Sequence, residues 1–157
     1  MRSIFFHSLL FIVMSFSFTA CFQDDGPKSP EAILSEFINI RTTQNVDMEF
    51  YQKYTAGLLL AQIESLDENE KSEIGKKIDI RKKQLKLLKT YYPEANQCFI
   101  TYLIKYDVPT ENPETSSEVK KIAELHKIQN QWKIVDVVNV KTFYENKQAL
   151  DIGLNEK

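Results

Sequence analysis

Apolar residues change their spacing part-way along this chain, and that change restricts the folds open to it more than any other feature. Ile33, Leu34, Phe37, Ile38 and Ile40 recur every three to four residues, the repeat of a helix that buries one face. Ser29-Pro30-Glu31 stands before them as a helix start: Ser29 can cap, Pro30 suits the first turn and Glu31 complements the positive helix end. From about Gln84 the pattern turns towards strands. Between Cys98 and Val108 it alternates strictly, with Cys98, Ile100, Tyr102, Ile104 and Tyr106 on one face and Phe99, Thr101, Leu103 and Lys105 on the other. Apolar members on both faces predict an interior strand. Helices followed by consecutive antiparallel strands make an α+β protein, with N-terminal helices packed on a curved antiparallel sheet.

The segments between follow the same logic. Asp47 can cap a short helix through Tyr54, and Ala56 to Leu66 predicts another whose Leu59, Ile63 and Leu66 share a stripe. The polar stretch Asp67 to Ile80 can continue as helix, although Gly75 weighs against it. After a polar loop with Pro109 and Pro113, Glu118 to Ile128 and Trp132 to Val140 form a hairpin about Gln129-Asn130, because Asn tolerates a left-handed turn conformation. A two-residue turn puts Trp132, Ile134, Asp136 and Val138 on the same face as Leu125 and Ala123, the expected core face.

The N-terminus reads as an address. Arg2 precedes an apolar run, Ile4 to Phe18, broken only by His7 and serines and too short to cross a ~30 Å hydrocarbon core comfortably, which favours a cleaved signal peptide. Phe18-Thr19-Ala20-Cys21 resembles the lipobox of bacterial lipoproteins, with Phe18 where leucine is usual. The same bulky Phe18 argues against ordinary cleavage after Ala20, which needs small residues one and three positions before the cut. Cleavage after Ser17, giving a secreted protein without lipid, and an uncleaved anchor are the alternatives. The resemblance implies palmitate-type acyl chains on Cys21 and a membrane lipid as first partner; two or more chains anchor stably where one is marginal. Phe22 replaces the aspartate that retains enteric lipoproteins at the inner membrane, so the expected place is the cell envelope, on the outer membrane facing the periplasm. Phe22 to Ser29 is a polar tether that reaches at most about 28 Å. The expected divisions are a signal peptide over 1–20, the lipidated cysteine and tether over 21–29, one domain over 30–152 and a tail over 153–157.

From Ser29 to about Ile152 the chain resembles the nuclear transport factor two-like superfamily, also called SnoaL-like or cystatin-like. The segments SPEAILSEFINI and HKIQNQWKIVDVVNVKTFYE carry the likeness. It implies a cone-shaped, cystatin-like sheet packed on helices and a possible homodimer through the exposed sheet face. It also brings one catalytic precedent, since ketosteroid isomerase relatives use an acid or base that projects into the cone.

Chemistry-bearing motifs are sparse. The chain carries 20 basic and 22 acidic side chains, a formal charge of −2 that becomes −3 once Arg2 is removed, so no nucleic acid is expected as partner. Charge is local: Glu64 to Glu73 is mostly acidic, whereas Lys76 to Lys89 is basic, a solvated face or a contact for anionic lipid headgroups. Cys98, at the start of an apolar strand, is expected to be a free buried thiol rather than a disulfide partner of Cys21. Four glycines leave no phosphate-cradling loop, and His126 is the one histidine remaining after processing, so neither cofactor nor metal is expected. Asp136 is the weak catalytic candidate, being the acidic residue on the expected core face, with Tyr102 or Tyr106 able to supply a hydroxyl. His126 and Glu124 fall on the opposite face. The leading expectation is an envelope lipoprotein whose domain binds a protein or small ligand without catalysis; the alternative is a lyase or isomerase of the ketosteroid isomerase type using Asp136.

Overall fold

The computed structural model describes residues 27–78, 80–107 and 115–146; the expectations for residues 1–26, Cys21 among them, and for the tail 153–157 lie outside these. The helical half comes first. α1 (Pro30–Thr43) starts where Ser29 Oγ accepts from the Ala32 N–H at 3.2 Å, and α2 (Met48–Tyr54) starts where Asp47 accepts from Phe50 N at 3.0 Å. Each bond satisfies an N–H group that the first turn of a helix leaves free. Aromatic rings clamp the two helices: Phe37 stacks on Phe50 at 5.3 Å between centroids, and Phe50 meets Tyr54 at 4.9 Å.

Residues 56–80 differ in part from the expectation of one helix running on. α3 (Gly57–Glu64) stops at Ser65, and α4 (Glu68–Gly75) begins anew with a capping box between Asp67 and Glu70. A reciprocal cap of this kind competes directly with helix continuation. Gly75 ends α4 against the α1–α2 connection, where Val46 N donates to the Gly75 carbonyl at 2.8 Å. A Cβ on Gly75 would lie 2.6 Å from the Val46 carbonyl oxygen, so only glycine permits this approach.

The sheet is a meander, β1 (Arg81–Glu94), β2 (Gln97–Asp107), β3 (Thr115–Ile128) and β4 (Gln131–Asn146), antiparallel throughout and in sequence order. β2 is an interior strand, as its two apolar faces required. The β3–β4 turn is the expected two-residue turn, with Gln129 at φ 50° and Asn130 at φ 66°, the backbone that matches the twist of a hairpin. Leu34 and Ile38 of α1 pack on Cys98, Ile100 and Tyr102 of β2, Ala123 and Leu125 of β3, and Trp132 and Ile134 of β4. The protein is thus α+β, with its helices on the N-terminal side and a four-stranded sheet.

The expected core face of β4 fails after Ile134. Leu125 pairs with Ile134, but Glu124 pairs with Asp136 and Ala123 with Val137, so Val135 is the extra residue of a β-bulge. The segment leading into α3 causes or accommodates it: Thr55 forms a parallel bridge to Ile134, Ala56 N donates to the Ile134 carbonyl at 3.0 Å, and Val135 packs against Gly57. One added residue exchanges the faces of everything that follows. Val137 therefore joins the core, whereas Asp136 turns to the outer face beside Glu124, and Val138 is 53% exposed.

Two stability outcomes follow. Leu34→Ala, in a side chain 1% exposed, should cost about 2–5 kcal/mol in urea unfolding, whereas Leu58→Ala, 63% exposed, should stay within about 0.5 kcal/mol. The pair Gln129→Asn with Asn130→Gly should raise stability by about 1 kcal/mol, since both positions have positive φ and only Asn and Gly occupy it cheaply.

Candidate functional site

The bridge from Thr55 to Ile134 fixes what stands across from what. It ends α2 beside the start of β4, and Lys133 Nζ reinforces the join by donating to the Gln52 carbonyl at 2.6 Å. Tyr54 consequently faces the neighbourhood of Trp132 across a cavity of about 270 Å³. α1 contributes Ile33 and Glu36, α2 contributes Lys53 and Tyr54, and the β3–β4 turn contributes Asn130 and Gln131 beside Trp132. Pro27 and Lys28, the last residues before α1, form the remaining wall. Hollows of about 480 Å³ and 530 Å³ flank the α1–α2 connection, but they are broad and open to solvent. An enclosed pocket with apolar walls and a few polar groups is the better ligand site.

Its electrostatics are defined by four side chains. Lys28 Nζ donates to Glu36 Oε2 at 2.7 Å, and Lys53 Nζ lies over the Tyr54 ring, 5.1 Å from the centroid. The Lys28 hydrogen bond, foremost, holds the Glu36 carboxyl below its ordinary range. The Tyr54 hydroxyl is buried beside Glu36 without a well-formed hydrogen bond, and burial followed by the Glu36 charge pushes its pKa up to about 12. Tyr54 is therefore a neutral donor at every physiological pH.

A second polar cluster lies next to this pocket, where the Tyr92 ring meets Trp132 edge-on at 6.2 Å. Tyr92 Oη donates to Glu31 Oε1 at 3.3 Å, close to the fully buried Cys98. Burial first, then the Glu31 carboxylate, pushes the Cys98 thiol up to about 11. A thiol so disposed is neither nucleophile nor metal ligand at neutral pH. Cys98 is free, as its position in an apolar strand suggested.

The residues singled out for catalysis do not converge. Tyr102 is buried on the core face and its phenol is pushed above the ordinary range by burial, while Asp136 lies on the other side of the sheet, where Oδ1 accepts from Val137 N at 2.8 Å. Tyr106 shares the face of Tyr102 and pairs with Ser117. On the outer face Glu124 Oε1 accepts from Gln97 Nε2 at 2.7 Å and meets His126 Nε2 at 2.7 Å. That His126 and Glu124 fall together follows from the alternation of β3.

The basic stretch has a structural use. Lys83 Nζ donates to Thr42 Oγ1 at 2.6 Å and Asn39 Oδ1 at 3.3 Å, and Arg41 donates to the Lys76 carbonyl at 2.7 Å. These cations gather at the C-terminus of α1, where the helix dipole favours them. The arriving chain meets α1 at its other end, about 21 Å away for 14 residues at 1.5 Å each.

Among the described residues no group of three or more His, Cys, Asp or Glu side chains could hold a metal, and no helix is long and apolar enough to cross a membrane. Sequence reasoning missed Ile33, Glu36, Lys53 and Tyr54 as pocket residues. Their only local signal is a run of aromatic and charged positions, and their opposition to Trp132 arises from a long-range bridge. In a chain carrying Cys21→Ser, Cys98 should resist alkylation at pH 8 in the folded state and react fully in denaturant; rapid labelling without denaturant would contradict its burial. No protein-family model matches this chain, and neither does any curated protein or solved structure.

Proposed function

We propose that this protein is an exported lipoprotein, anchored through acyl chains on Cys21, whose single domain binds a ligand at the membrane surface without catalysis. The observation that carries this reading is the sequence Phe18-Thr19-Ala20-Cys21 at the end of a short apolar segment, followed by a polar tether. From Cys21 to Pro27 is six residues, at most about 21 Å of extended chain. The pocket walled by Pro27 and Lys28 would then open beside the bilayer of the cell envelope, with the outer membrane, periplasmic face, as its setting. A binding role agrees with an enclosed pocket that holds aromatic and polar groups, and with a core in which Asp136, Tyr102 and Tyr106 do not meet. The cystatin-like likeness of the chain is compatible with a ligand site between helices and sheet.

A second copy of the chain is a further partner under this reading. The outer sheet face carries Tyr91, Val138 and Phe143, exposed by 56%, 53% and 44%, between charged neighbours. Mass spectrometry of the native N-terminus tests the anchor. The expected mass is that of a chain starting at acylated Cys21, and Cys21→Ser should move the protein from the membrane pellet to the soluble fraction. A mature chain starting at Phe18, without lipid, would refute it.

A further inference from the structure

Three observations about the Trp132 cavity bear on what it takes, assuming it is the ligand site of the binding role above. The first is size. About 270 Å³ holds roughly nine water volumes of ~30 Å³ each, room for a single ring with a short arm but not for an oligosaccharide or a folded peptide. The second is that apolar and polar groups are separated. Ile33, Trp132 and the ring of Tyr54 make one wall, and Trp132 is only 9% exposed, so the body of a ligand would be well shielded from water.

The third is charge. Aromatic rings beside the Glu36 carboxylate would, taken alone, suit a cation. Glu36 is however already held by Lys28 at 2.7 Å, and Lys53 adds a second ammonium over Tyr54. Two lysines against one glutamate leave the pocket with one excess positive charge. The buried Tyr54 hydroxyl supplies a donor that lacks a well-formed bond, and a buried donor gains most from an acceptor brought by a ligand.

We propose that the cavity between Trp132 and Tyr54 binds a small amphiphilic monoanion, a carboxylate carried on an aromatic or short aliphatic body. The apolar body lies against Trp132 and Ile33. The carboxylate accepts from the Tyr54 hydroxyl and pairs with Lys53, which is exposed and can swing towards it.

Trp132 is the only tryptophan of the chain, so its fluorescence reports on this cavity alone. The test uses the mature chain from residue 21 with Cys21→Ser, titrated with four probes: phenylacetate, 2-phenylethanol, phenethylamine and N-acetylglucosamine. The first three share one apolar body and differ in charge. Phenylacetate should change Trp132 emission saturably and bind at least about tenfold more tightly than phenethylamine, about 1.4 kcal/mol. Lys53→Gln, at an exposed position, should lower phenylacetate affinity about five- to tenfold towards that of 2-phenylethanol and leave 2-phenylethanol binding and thermal unfolding unchanged. Tyr54→Phe should also weaken phenylacetate selectively. Equal or tighter binding of phenethylamine, indifference of phenylacetate to Lys53→Gln, or a response to N-acetylglucosamine in place of the acid would overturn the anion assignment while the binding role stands. No response to any probe overturns the assignment of this cavity, whereas the anchor is judged separately by the mass at Cys21.

Discussion

A single backbone hydrogen bond, from the Ala56 N–H to the Ile134 carbonyl at 3.0 Å, joins the helical half of the protein to the edge of its sheet. Strand edges carry unpaired N–H and C=O groups, and here the chain between α2 and α3 occupies part of the β4 edge. Thr55, fully buried with its hydroxyl donating to the Tyr51 carbonyl at 2.7 Å, makes that approach possible without stranding a polar group. Three consequences depend on it. Tyr54 is delivered opposite Trp132, which creates the enclosed cavity. Val135 is taken out of the strand alternation and packed on Gly57, whose φ of +58° bends the chain into α3. Asp136 is thereby turned away from the core.

How far the fold was legible follows from the range of each determinant. Helix starts at Ser29 and Asp47 and the Gln129-Asn130 turn depend on neighbours within four residues, and they stand where local chemistry puts them. The break at Ser65 to Asp67 was also local, a capping box in Asp67 and Glu70, and was obscured because the charged residues around it suit a helix equally well. The bulge at Val135 was not legible. Val135, Asp136, Val137 and Val138 alternate no differently in either register, and the residue that selects between them is nearly 80 positions away at Thr55. The site shared that limitation, since its walls come from α1, α2 and a distant turn.

α1 separates the two charged regions of the molecule. Its N-terminus receives the chain at Ser29, next to Lys28 and the cavity, and its C-terminus collects Arg41, Lys76 and Lys83 through side-chain and carbonyl bonds. A basic stretch that looked suited to anionic headgroups is thus partly consumed in closing the free carbonyl end of a helix. Lys83 in particular is drawn into the interior, and burial lowers its pKa, which a role on a wet lipid surface would not require. A chain tethered at Ser29 presents the cavity end to its anchor and the basic end away from it.

The weakest wall of the cavity is the one made by the tether itself. Pro27 and Lys28 are fastened to α1 through the Lys28–Glu36 pair, whose side chains are 46% and 30% exposed. Exposed ion pairs contribute only about 0–1 kcal/mol, far less than displacing Trp132 or Ile33 from the core would cost. Access to the cavity therefore goes by parting Lys28 from Glu36 rather than by opening the helix–sheet packing. Parting them frees an ammonium at the rim as well as a path, but it also exposes the Glu36 carboxylate, which leaves Lys53 as the cation that balances it. The charge that would favour an entering anion and the latch that covers it are in this way the same pair of side chains, so the sign of the pocket depends on whether the tether is seated.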